Sequence, residues 1–122
     1  MPGIFLVEDD EQLRSTLKEI LISSGHEVWE FGDGRVVAET YHQQHPELVI
    51  LNLILPEKDG FEIIQNLRRQ DPNARIIAMS GGGQGTSELY LRIARYLGAT
   101  GTLSKPFTNE QFLEAVLSAL KS

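Results

Sequence analysis

Four separated stretches of this chain carry residues able to handle a cation and an anion together. They are the acidic run Glu8-Asp9-Asp10-Glu11, Asn52 in "LVILN", Ser80 in "RIIAMS" and Lys105 in "SKPF". Adjacent carboxylates such as Glu8 and Asp9 suit a hard cation such as Mg²⁺, which takes one or two carboxylates, waters and a phosphate oxygen. A lysine locked by the following Pro106 can aim its ammonium at an anion. Two acids, a hydroxyl and a lysine around one crevice would clamp Mg²⁺ and a phosphoryl group, the arrangement used in phosphoryl transfer. Each residue also has a plainer reading. Asp10 and Glu11 are expected to cap a helix and face its dipole. Asn52 can simply leave a strand by a turn, and a lone lysine is ordinarily solvated. The set lacks a nucleophile to carry the phosphoryl group, and Asn52 stands where one belongs.

The elements that must position these residues alternate along the chain. "IFLV" (4–7), "EVWEF" (27–31), "LVILN" (48–52), "RIIAMS" (75–80) and "GTLS" (101–104) read as five strands rich in β formers. Between them lie helical patterns. The first carries Leu13, Leu17, Ile20 and Leu21 and stops at Gly25, and the second covers roughly 35–44 after the Asp33-Gly34 turn. The third, opened by Asp59-Gly60, carries Phe61, Ile64 and Leu67 up to Asp71-Pro72. The fourth runs through Leu89, Ile93 and Leu97 to Gly98. The fifth begins with a Thr108-x-x-Gln111 capping box and packs Phe112, Val116 and Leu120. Strands alternating with helices predict an α/β fold, a five-stranded parallel sheet doubly wound as (βα)5, flavodoxin-like. Continuous apolar runs such as "LVIL" fit strands buried on both faces. Functional groups of such sheets gather at the carboxyl ends of the strands, where Glu8, Asp9, Asn52, Ser80 and Lys105 all fall.

Composition narrows the function classes. At 122 residues, 41% hydrophobic and 23% charged, the chain suits one domain spanning residues 1–122. A formal charge of −6 speaks against a nucleic-acid footprint and against an anionic membrane surface. There is no cysteine, hence no thiolate metal site. No apolar run reaches a spanning length, and "MPGIFLVEDD" turns acidic too early for a signal peptide, so a cytoplasmic protein is expected. The glycine cluster Gly81-Gly82-Gly83 is no Walker loop, because Gln84-Gly85-Thr86 supplies no lysine.

The chain resembles, over essentially its whole length, the receiver domain of bacterial two-component response regulators. "IFLVEDDE" corresponds to the family's "ILVVDDE"-like opening, "NLILPEKDG" at 52–60 to its Asp-led "D-x-x-(M/L)-P-x-x-(D/E)-G", and "GATGTLSKPF" to its "GAxGYLxKPF". The resemblance implies a phosphorelay. A sensor histidine kinase or phosphotransfer protein presents a phosphohistidine, and the third-strand Asp attacks phosphorus to become an acyl phosphate. Mg²⁺ is held by the acidic pair (Glu8, Asp9), by that Asp and by a backbone carbonyl two residues on, that of Ile54. Lys105, oriented by a Lys-Pro bond that is typically cis in the family, pairs with the phosphoryl oxygens. Ser80 moves toward them and repositions the face built from the fourth helix, fifth strand and fifth helix. Output is contact with a downstream protein or domain, a homodimer through that face included. Apart from its own phosphorylation and dephosphorylation the family catalyses nothing.

Two positions depart from that pattern. The phosphoacceptor position is Asn52, whose amide has no carboxylate oxygen to attack with, so phosphorylation is not expected and Mg²⁺ binding should weaken. Thr102 stands where the family's switch residue is usually Tyr or Phe. Three accounts of Asn52 compete: an engineered Asp-to-Asn form, a natural pseudo-receiver, or an amide that merely ends its strand. The intact surroundings favour the first two equally. A constitutive adaptor is the alternative function, with Tyr90, Leu91 and Tyr96 as contacts if they are not packing residues. A flavodoxin-like cofactor binder fits poorly, since "VEDDE" would repel a flavin phosphate, and none of His26, His42 and His45 falls at a crevice-facing strand end.

Overall fold

The computed structural model describes residues 3–56, 58–81 and 86–122; Gly82, Gly83, Gln84 and Gly85 of the glycine-rich loop lie outside them. The elements are β1 (Ile4–Val7), α1 (Glu11–Ser23), β2 (Val28–Phe31), α2 (Val37–Gln44), β3 (Leu48–Asn52), α3 (Gly60–Gln70), β4 (Ile76–Ser80), α4 (Thr86–Leu97), β5 (Gly101–Ser104) and α5 (Asn109–Leu120). Every strand pairing is parallel, in the order β2-β1-β3-β4-β5. This is the doubly wound α/β sheet that the alternation predicts.

Side chains of a strand alternate between faces, and here each face has its own core. Phe5, Val7, Val49, Leu51, Ile76 and Ala78 meet Val37 and Tyr41 of α2, Ile63, Ile64 and Leu67 of α3 and Ala94 of α4. The other set, with Ile4, Leu6, Ile50, Ile77 and Met79, meets Leu17 and Leu21 of α1 and Phe112 and Val116 of α5. β1, β3 and β4 are buried along their whole length. Edge strand β2 is half exposed.

Local chemistry sets the helix starts. The Asp10 carboxylate accepts from the N–H groups of Gln12 and Leu13 and caps α1, as its place before the helix suggests. Thr108 and Gln111 form the expected capping box of α5. α2 starts at Val37, two residues later than its pattern suggests. The Asp33 carboxylate takes the backbone N–H of Arg35 at 2.9 Å and holds that segment in a turn.

α4 packs one row over from its expected stripe. Ala94 is its buried residue, Tyr90, Leu91 and Leu97 are half-buried against the core, and Leu89 and Ile93 are 49% and 38% exposed. Two apolar rows lie side by side on this helix, 90/94/97 and 89/93/96. The small Ala94 lets the first row approach the sheet closely. Of the three proposed contacts, Tyr90 and Leu91 are therefore packing residues, and Tyr96, 90% exposed, is not.

Below the sheet, the hydroxyl of buried Tyr41 donates to Asp71 Oδ2 at 2.8 Å, tying α2 to the end of α3. This bond, then the Asn73 N–H, holds the Asp71 carboxyl below its ordinary value. A carboxylate with a depressed folded pKa stabilises the fold above its unfolded pKa and loses that contribution as pH falls through the folded one. Tyr41→Phe is therefore expected to cost about 1 kcal/mol at neutral pH. Its urea-unfolding free energy should also fall less than that of the unaltered chain between about pH 5 and pH 2.

Candidate functional site

The strand order reverses between β1 and β3. The connection after β1 leads to α1 on one face, and the one after β3 leads to α3 on the other. A crevice opens at the carboxyl edge where the two connections part. β1 runs directly into Glu8, whose side chain is 1% exposed. Asp9, next along, is exposed. β3 ends on the buried Asn52 and β4 on the buried Ser80, while Lys105 follows β5.

Glu8 is the centre of the crevice. Its Oε1 accepts from Lys105 Nζ at 2.8 Å, and its Oε2 accepts from the N–H of Asp10 at 3.1 Å. Burial pushes the Glu8 carboxyl above its ordinary value, against the pull of Lys105 and the Asp10 N–H. Asn52 completes the shell. Its Nδ2 donates to the Ile54 carbonyl at 2.9 Å, and lies 3.3 Å from Asp9 Oδ1 and 3.4 Å from Glu8 Oε2. The Asn52 amide is hydrogen-bonded in an acidic crevice, as expected. The Lys105 ammonium, however, is bound to Glu8.

Among the described residues, Ser80 is held through its backbone. Its carbonyl accepts from the N–H of Lys105 and from Ser87 Oγ. Its buried Oγ has no partner among the described residues. The Lys105–Pro106 bond is cis.

Three residues have positioning roles that were not assigned from sequence. Arg14 of α1 donates from Nη1 to the Glu8 carbonyl at 2.7 Å and from Nε to Glu30 at 3.3 Å, bracing the end of β1 against β2. Gly60 starts α3 hard against β3: a Cβ there would lie 2.6 Å from Leu53 Cα and 2.9 Å from the Asn52 carbonyl oxygen. Gly81 is the shelf for Lys105, where a Cβ would come within 2.9 Å of the lysine Cβ. The Asp59-Gly60 pair and the glycine cluster were visible signals, but nothing in the letters tells a turn former from a close approach.

The oxygen set suits a hard cation in kind. Two carboxylates and a carbonyl converge on one point, within the ligand chemistry of Mg²⁺. Among the described residues, no group of three or more His, Cys, Asp or Glu is placed so that it could hold a metal ion. The convergence point itself carries the Asn52 amide nitrogen, so the residues as they stand do not fit a metal ion there. The histidines lie elsewhere: His26 precedes β2 and faces Glu47 before β3, at the opposite edge of the sheet.

The pair Lys105–Glu8 is open to a direct stability test. Removing one partner of a fully buried ion pair costs about 3–5 kcal/mol, and the 22% exposure of the Lys105 side chain lowers the figure here to roughly 2–3 kcal/mol. Lys105→Met should lose that much in urea unfolding. The double variant Glu8→Gln/Lys105→Met should recover a large part of it, because no buried charge is stranded.

Comparison with known proteins bears on the fold and the family. The family model described as response regulator receiver domain matches residues 4–117. The chemotaxis protein CheY of Thermotoga maritima is 32% identical over 114 residues, covering 93% of this chain and 92% of that protein. CheY of Bacillus subtilis is 33% identical over 118 residues, covering 96% of each. The receiver domain of NtrX from Brucella abortus superposes with a TM-score of 0.87 at 24% identity, covering 98% of this chain and 99% of that one, a likeness of fold. On the family match and these two relatives, the chain belongs to the response regulator receiver domain family.

Proposed function

We propose that this receiver domain carries its phosphoacceptor position at Asn52 and, as written, takes no phosphoryl group. The observation that supports this is the placing of Asn52: it ends β3 within reach of Glu8, Asp9 and the Ile54 carbonyl, with Lys105 bound to Glu8 beside it. A carboxylate at this point could attack the phosphorus of a phosphohistidine or a small acyl phosphate, expelling the donor. An amide cannot, because its oxygen carries no charge and its nitrogen is committed to donating. The domain then signals by protein contact. Its upstream partner in this reading is a sensor histidine kinase or phosphotransfer protein, and its output is a downstream protein or domain. Neither nucleic acid nor membrane is a partner, and the location is cytoplasmic. No helix of the described residues is long and apolar enough to cross a membrane.

A second reading, a phosphorylation-independent adaptor, draws on α4. Leu89, Ile93 and the 90% exposed Tyr96 form one apolar row pointing to solvent. Leu91 and Arg95 line a separate groove against Thr102, on the α4, β5 and α5 side where a homodimer would form. Arg95 Nη2 donates to Thr102 Oγ1 at 2.8 Å, fastening α4 to β5 where the family usually has an aromatic switch residue.

The test treats the chain and its Asn52→Asp variant with Mg²⁺ and a small acyl phosphate and weighs both intact. Only the Asp variant should gain a phosphoryl mass. A phosphoryl mass on the unaltered chain, or none on the variant, defeats the reading.

A further inference from the structure

We propose that the side-chain amide of Asn52 stands in for a divalent cation, so that the crevice holds its acidic pair together without metal. The inference rests on the phosphoryl-site reading only for the identity of the cation replaced. Its ground is the arrangement around Nδ2. An NH₂ group has two protons, yet three oxygens face this one, from Glu8, Asp9 and Ile54, at 3.4, 3.3 and 2.9 Å. Two linear hydrogen bonds would need two acceptors at about 2.9 Å each. Three acceptors gathered around one electropositive atom is the pattern of a coordination centre.

Other donors in the crevice also serve the buried carboxylate. Lys105 is placed on Oε1 of Glu8, and the Asp10 N–H lies on Oε2. With Asn52 these donors leave both oxygens of the buried carboxylate served, by three groups: one after β5, one at the start of α1 and one at the end of β3. Aspartate at position 52 would be an acceptor only. It would set a third carboxylate among these oxygens against the one lysine that reaches them, and would need a cation to hold them together. Mg²⁺ requires oxygens at about 2.0–2.1 Å, and the amide nitrogen already sits among the oxygens it would use. For the ion to enter, Asn52 must turn its nitrogen away and offer Oδ1 in its place.

Thermal unfolding separates the two cases. The whole chain, Asn52→Asp and Asn52→Ala would be melted in EDTA and in millimolar MgCl₂ at matched ionic strength. The unaltered chain should melt at the same temperature in both. Asn52→Asp should melt lower in EDTA and rise by about 3–6 °C with Mg²⁺ near ten times its dissociation constant. Asn52→Ala, which removes the donor and adds no charge, should also become Mg²⁺-responsive. It keeps the test decisive if the Asp variant does not fold in EDTA. A rise for the unaltered chain matching that of Asn52→Asp overturns the proposal, as does a lack of Mg²⁺ response in both variants. Weighing Asn52→Asp after acyl-phosphate treatment in the same samples reports on the phosphoryl-site reading separately. A missing phosphoryl mass there defeats that reading, while the melting comparison decides the role of the amide.

Discussion

A carboxylate buried at the end of β1 is the constraint around which the crevice is built. Glu8 enters the interior because β1 is apolar and buried right up to it, and a buried acid is costly unless it is met by donors. The donors come from every side: Lys105 after β5, the Asp10 N–H at the start of α1, and Asn52 at the end of β3. Each must be placed to within a fraction of an ångström. The demands of one side chain thus fix the relative positions of three strands and a helix.

The neighbouring features follow from that demand. Arg14 fixes the Glu8 backbone, so the carboxylate does not swing out toward water with a fraying strand end. Gly60 allows α3 to begin directly on β3, and its N–H donates to the Leu53 carbonyl at 2.8 Å. Gly81 gives the Lys105 stem its passage across the end of β4. α4 is coupled to the same edge, since Ser87 Oγ contacts the Ser80 carbonyl at 2.9 Å and Ser104 Oγ at 3.3 Å. A shift at the ends of β4 or β5 would be felt first at the start of this helix, while Arg95 and Thr102 restrain its far half.

Much of this was legible in the letters. The apolar strand runs, the alternation with helices and the polar residues at strand ends followed from periodicity alone, and they put Glu8, Asp9, Asn52, Ser80 and Lys105 at one edge. What periodicity could not choose was between two adjacent apolar rows on α4, because both satisfy the helical repeat and only the small volume of Ala94 favours one. It could not assign partners either. Lys105 pairs with Glu8 because the buried acid needs a counter-charge, a fact of depth rather than order. The three-oxygen shell of Asn52 depends on the turn after β3 folding the Ile54 carbonyl back beneath the amide. No spacing rule encodes that turn.

Asparagine and aspartate share a shape but not a chemistry, since the amide donates where the carboxylate only accepts. In the proposed reading an acid there would offer a nucleophile and call for a metal, whereas the amide offers two protons to oxygens already present. The most direct test of this account is the Asn52 side-chain NH₂ signal in a nitrogen-15 proton correlation spectrum, followed while MgCl₂ is added. A well-dispersed, slowly exchanging proton pair whose positions do not move with Mg²⁺ is expected. A pair that lies at solvent-exposed positions, or that shifts as the cation is titrated together with the Glu8 and Asp9 backbone amides, would contradict it.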